Sequence, residues 1–260
     1  MNRSIRNAIV AGGLGIALAA GTSAAAFADT PTPTPAPSAT AKAPRTLVDL
    51  QKAGAAATSK RIASLDQATD AVKKDTTLSD DHRSTILGTF SKDRDAMTKL
   101  ASTIAADTDA AAAEKDVRSI YSDYRVYTVA LRQARDAAAA DRITSKTVPA
   151  LDTAHDRLSK LANSKKAGSD VTDKLAEMAE LADSAKSAVS HVASDALAVT
   201  PASYDGDHTA LDASQKSIES ARDDIKKAAA DGKDAAKALH TSSKGSSTKK
   251  SSSTPTPAAS

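Results

Sequence analysis

The chain has 260 residues, a formal charge of +3, 2% aromatic residues and no cysteine or tryptophan. Lack of cysteine excludes a disulfide scaffold, thiol catalysis, Cys-ligated zinc and an acylated-cysteine anchor. The small positive balance is carried by the two ends, so nothing in it suggests a dedicated nucleic-acid surface.

The first stretch, "MNRSIR", supplies Arg3 and Arg6 and is followed by the uncharged run "AIVAGGLGIALAAGTSAAAFA". With Ala26-Phe27-Ala28 as a small-x-small site, residues 1–28 are expected to be a secretory signal peptide cleaved before Asp29. Gly12, Gly13, Gly15 and Gly21 interrupt the run, which falls short of the about 20 strongly apolar residues of a bilayer span. No transmembrane segment is therefore expected after cleavage. Losing Arg3 and Arg6 lowers the net charge from +3 to +1. Export without cysteine fits a bacterial exoprotein, secreted and extracellular or wall-associated.

Residues 29–45, "DTPTPTPAPSATAKAPR", place proline at nearly every second position, which denies helix and sheet hydrogen bonds. Residues 241–260 are rich in Ser, Lys, Thr and Pro, carry Lys244, Lys249 and Lys250, and contain no acid. Both ends are expected to be disordered tethers, and their threonines are candidates for glycosylation. Without the tail the remaining chain is slightly acidic, so the tail is the expected contact for anionic cell-wall polymers.

Between them, residues 46–240 form a region rich in the strong helix formers Ala, Lys and Leu, with Gly and Pro scarce. Apolar residues step by three and four, as in Leu47, Leu50, Ala53/Gly54, Ala57, Arg61/Ile62, Leu65, Ala68 and Val72. Ser79 before two acids, Asp109, Ser169 after Gly168, and Asp207 read as helix starts. The spacing predicts helices over 46–75, 79–106, 109–163, 169–199 and 207–240, with Pro149 either kinking the third or splitting it near Lys146. The expected fold is all-α: an elongated antiparallel bundle of about five long Ala-rich helices. Alanine seams bury little area, so modest unfolding cooperativity is expected.

The stretch "IYSDYRVYTVALRQ" holds Tyr121, Tyr124 and Tyr127, three of the four tyrosines in the chain. On a continuous helix they share one broad face with Val117, Ile120 and Leu131, while Val126 and Val129 lie opposite, as in the central helix of a bundle. The expected role is a core layer that compensates for alanine elsewhere. The alternative is an interaction face, because Arg118, Arg125 and Arg132 recur every seven residues beside the tyrosines. The same arginine row is what a flanking coiled-coil position looks like when it pairs with acids on a neighbour.

"TLSDDHRSTILGTFSKDRDAMTKLASTIAADTD", "DVRSIYSDYRVYTVAL" and "AADRI", with the later "TPASYDGDH", resemble a group of uncharacterised secreted helical proteins of actinobacteria that share a "DYRVY" segment. The likeness covers Ile62 to Ile143 well and the rest loosely. It implies an exported all-α protein and assigns no reaction.

No catalytic, cofactor or metal constellation is legible. His82, His155, His191, His208 and His240 are isolated, and none has a glutamate three residues before it, the ligand pair of di-iron bundles. Asp152 and His155 share a helical face and read as a surface contact. His191, near its helix end, is expected to offset the dipole or to be partly buried. Asp205, Asp207 and Asp212 beside His208 lack the Asp-x-Asp-x-Asp-Gly series and closing Glu of an EF-hand, and read as a turn and a cap. There is no Gly-x-Ser-x-Gly elbow and no phosphate loop. The expected function is non-enzymatic: a cell-envelope helical spacer or interaction protein, with protein partners open. A lipid or small-molecule carrier, or a stress-protective helical protein, is the alternative.

Overall fold

A computed structural model describes residues 45–245; the expectations for the signal peptide, the Thr/Pro linker and Lys249 and Lys250 fall outside the described residues. Those residues are helical almost throughout and contain no strand. Side-chain caps set the starts. Helix α1 (Leu47–Lys74) opens with a capping box, the Asp49 N–H donating to the Thr46 hydroxyl while Asp49 accepts from the Thr46 N–H. Helix α2 (Asp80–Ala106) is capped by Ser79, which accepts from the His82 N–H. Helix α3 (Ala110–Ser122) is capped by Asp109, whose carboxylate accepts from the N–H of Ala111 and Ala112 at 2.9 Å.

The chain continues through a π turn (Val126–Ala130), α4 (Leu131–Arg142), a second π turn (Ile143–Thr147) and α5 (Val148–Lys165). Then come α6 (Ser169–Val189), α7 (Val192–Ala198), α8 (Pro201–Gly206) and α9 (Asp212–Gly245).

Two helix trios sit on either side of α4. In the first, α2 runs antiparallel to α1: the Gln51 amide near the start of α1 donates to Ala105 O and Asp107 O at the end of α2, and Arg94 pairs with Asp66. Helix α3 returns parallel to α1, close enough that a Cβ on Gly54 would meet Ile104 Cγ2 at 2.8 Å and Val117 Cγ2 at 3.1 Å. Glycine at 54 is what lets three helices meet there. In the second trio α6 and α9 are antiparallel, joined by Lys174–Asp231 and by Ser184 donating to Asp224. Helix α5 runs parallel to α9, with Lys165 Nζ donating to Leu239 O.

Each trio has its own small core: Met97, Leu100, Ile104, Val117 and Ile120 in the first, and Ala162, Val171, Leu175, Ala235 and Leu239 in the second. A larger cluster joins them around α4, where Phe90, Ile86 and Leu65 meet Val126, Ala137, Val189 and Ile218. The buried face of α4 carries Ala134, Ala137 and Ala140 beside Gln133 and Asp136, and its alanines allow helices to approach closely but bury little area per residue.

Several expectations are corrected. The third helix is not continuous from 109 to 163: Asp123 to Arg125 interrupt it, and Arg125 adopts the left-handed conformation at φ 42°. On an unbroken helix Ile120 and Val126 would lie about 120° apart. The break turns the chain so that both are fully buried. Pro149, expected to kink the third helix or to split it near Lys146, does not split it: the helical path runs through the π turn directly into α5. The π turn just before it shifts the pattern so that Val148 N–H bonds Ile143 O, five residues back. This widening relieves the clash that a proline ring makes with the carbonyl four residues earlier.

At the α5 end, Lys166 rather than Gly168 takes the left-handed position (φ 52°), and Ala167 N–H reaches back to Ala162 O. Gly168 is the N-cap of α6 in an extended conformation. The 169–199 helix is interrupted at Ser190 and His191, and His191 is exposed rather than partly buried. Asp207 caps a turn, and α9 starts only at Asp212. Between them and Thr200 lies the unforeseen α8, with its own Thr200/Ser203 capping box. Helix α9 extends to Gly245, past the expected end at 240, and therefore includes Lys244.

Candidate functional site

The tyrosine stretch does not form one face. Tyr124 turns inward and packs against both the central and the first-trio clusters. Tyr121 and Tyr127 stay 54% and 39% exposed, against the expectation that all three would be core. Between these two rings lies Arg61 of α1, only 7% exposed, with its Cζ 4.4 Å from the Tyr121 centroid and 5.0 Å from that of Tyr127. A guanidinium held between two rings gains cation–π attraction that grows as water is excluded. Arg61 Nη1 donates to Ala57 O, and the Tyr127 hydroxyl reaches Ser64 Oγ and Lys60 O. The rings therefore fasten α3 and the π turn to α1.

The three heptad arginines part company. Arg118 is exposed and pairs with Glu114 one turn earlier on its own helix. Arg125 forms an ion pair with Asp205 of α8, and its Cζ lies 5.4 Å from the Tyr204 ring, which in turn leans on His208 at 5.1 Å. Arg132 Nη2 donates to Asp212 Oδ1 at 2.7 Å and to Gln215 Oε1. Arg125 and Arg132 thus pin the crossing segment 201–215 to the start of the α4 region. The left-handed Arg125, a conformation that costs about 1–2 kcal/mol for an L-residue, is held by this docking.

Beneath them lies Asp136, 4% exposed. Burial raises its pKa above the usual carboxylate range, while Arg135, Arg132 and Arg222 pull it back. Its nearest cations are Arg135 Nε at 3.6 Å and Arg132 Nε at 3.8 Å. Beside it the buried Gln133 amide donates to Ala196 O at 2.7 Å and also to Val199 O, satisfying carbonyls left open at the end of α7.

The acidic loop does not converge. Asp205 faces Arg125, Asp212 faces Arg132, and Asp207 accepts from the hydroxyl and N–H of Thr209, which together lower its pKa. Among the described residues no group of three His, Cys, Asp or Glu side chains is placed to hold a metal ion. His155 pairs with Asp156 and Ser159 rather than with Asp152. His82 meets Asp141 at 2.9 Å, a contact across 59 residues that the isolated histidine did not announce.

Sequence reasoning missed Arg61, Gln133 and Asp136. The signal for Arg61 was present: it occupies the seam of the α1 apolar series Leu50, Gly54, Thr58, Arg61, Leu65, and a cation there must find partners. Gln133 and Asp136 stand on the same buried side of α4 as Ala134, Ala137 and Ala140. Among the described residues no helix is long and apolar enough to cross a membrane. The chain matches no family model, no curated protein and no solved structure.

Proposed function

We propose that this is an exported, non-enzymatic helical protein of the cell envelope, a spacer or interaction module tethered to anionic wall polymers through Lys244, Lys249 and Lys250. One observation carries the scaffold part of this reading. Two of the three heptad arginines, which would serve a ligand surface, are engaged inside the chain, Arg125 by Asp205 and Arg132 by Asp212, and Arg61 is held by two tyrosine rings, while Arg118 stays exposed. Charged side chains used this way hold helices in register and leave the ends to make attachments. The signal-peptide pattern and the resemblance to exported actinobacterial helical proteins support the location.

The test is co-sedimentation of the mature chain, Asp29–Ser260, with purified actinobacterial cell walls over a salt series. Lys244, Lys249 and Lys250 are replaced by serine rather than deleted, so that the chain keeps its length. Binding that fades as salt reaches the range where surface charges are screened, about 0.1–1 M, and that the triple substitution removes is the expected result. Binding indifferent to the triple substitution, or no binding at low salt, overturns the tether.

A further inference from the structure

The outer side of α4 is open. On the α9 side it forms a groove of about 530 Å³ whose rim carries four cations, Arg135, Arg142, Arg222 and Lys226. The floor is apolar, with Ala139, Ile143 and Ile225. On the α1 side lies a second hollow of about 290 Å³, walled by Val72, Leu78, Phe90 and Leu131. Arg135 and Ala138 line both, so the two hollows adjoin along α4.

We propose that this trough binds a single-chain amphiphile with an anionic headgroup, the head among Arg135, Arg142, Arg222 and Lys226 and the alkyl chain in the hollow over Leu131 and Phe90. Charge and shape both favour that occupant. Three acids stand against the four rim cations and leave one positive charge in excess: Asp75 pairs with Arg142 at 3.3 Å, Asp223 with Lys226 at 2.8 Å, and Asp136 lies 3.6 Å from Arg135. Arg222 makes no direct ion pair among the described residues, and its charge helps to hold down the pKa of the buried Asp136. An anion entering the groove therefore meets one unpaired guanidinium and three exposed partners whose pairs can be shared.

The hollow, by contrast, has a nearly continuous hydrocarbon lining, interrupted by Asp75 and the shared Arg135. From Leu131 to Arg142 the α-helix rises about 17 Å, the reach of a medium-length alkyl chain with its headgroup. Volumes of this size suit a small molecule rather than a partner domain. The lining of the basic groove also includes Ile143 and Thr147, the two ends of the second π turn. The chemistry of the trough is the same wherever the protein resides.

The experiment is titration calorimetry of the mature chain with dodecyl phosphate below its micelle concentration, beside inorganic phosphate and the uncharged dodecyl maltoside. Saturable one-to-one binding of dodecyl phosphate is expected, with both comparison compounds weaker by about tenfold or more. Arg222→Glu with Lys226→Glu, both exposed positions, should weaken binding by a similar factor with circular dichroism unchanged. Ala138→Trp, which fills the junction of the two hollows, should remove it; if that variant does not fold, the charge-reversal pair decides. Equal binding of inorganic phosphate would reduce the trough to a plain anion site. Equal binding of the maltoside would mean non-specific apolar adsorption. Self-association abolished by Arg222→Glu, without amphiphile binding, would assign the trough to a second copy. Each of these three results overturns the proposal.

Discussion

Arg125 and Arg132 on one side, and Arg135 and Arg142 on the other, lie within eighteen residues of one another, yet they belong to opposite kinds of surface. The first pair faces segment 201–215 and is engaged by Asp205 and Asp212, with side chains about four-fifths covered. The second pair lines the open trough and remains mostly in water. What separates them is the covering segment: α8 and the start of α9 cross the first pair and leave the second bare. A heptad of arginines therefore says nothing about binding until the chain that lies over it is placed.

The largest test of that contrast removes arginines from either side of the same acid. Arg132→Ala withdraws a largely buried partner from Asp136 and Asp212. It should cost about 3 kcal/mol, the low end for breaking a buried pair. Arg135→Ala, mostly exposed although it also approaches Asp136, should change stability by no more than about 0.5 kcal/mol. Urea unfolding followed by circular dichroism separates the two. Equal losses would mean that Asp136 leans on the exposed arginine as much as on the covered one.

A smaller effect uses an acid with no arginine at all. Asp93 on α2 has no hydrogen bond or ion pair among the described residues, and burial raises its pKa to about 6. A carboxyl whose folded pKa lies above the unfolded value of about 3.9 binds its proton more tightly in the folded state. That contribution is fully present below the unfolded pKa and is lost as pH rises through 6. Asp93→Asn should therefore stabilise the protein at pH 8 by about 1–2 kcal/mol, a figure discounted from the full shift for partial exposure. The gain should vanish near pH 4. A gain that persists at pH 4 would show that shape rather than charge is responsible, and that Asp136 differs from Asp93 by more than its arginines.

The helix starts at Ser79 and Asp109 were legible because capping is local: the residue that ends the loop also satisfies the first N–H groups. So was the break at Thr200-Pro201, since proline at the first helical position needs no donor. The break at Arg125 was not. Its left-handed backbone is held by Asp205, a partner 80 residues away, and no local propensity at Asp-Tyr-Arg encodes it. The same holds for the tyrosines. Helical spacing put all three on one face, but the rotation at Arg125 sends Tyr124 inward and leaves Tyr121 and Tyr127 to enclose Arg61. The open back of α4 was equally hidden, because alanine suits a seam and an exposed helix face alike.

The most direct measurement is a double-mutant cycle on Arg125 and Asp205, with Arg125→Ala, Asp205→Ala and the double variant unfolded in urea at low salt. If the arginine row is a joint inside the fold, the two losses are coupled by about 1 kcal/mol or more. Losses that add within about 0.3–0.5 kcal/mol would mean that Arg125 is free of α8. The tyrosine–arginine stretch would then have to be treated as a surface awaiting a partner.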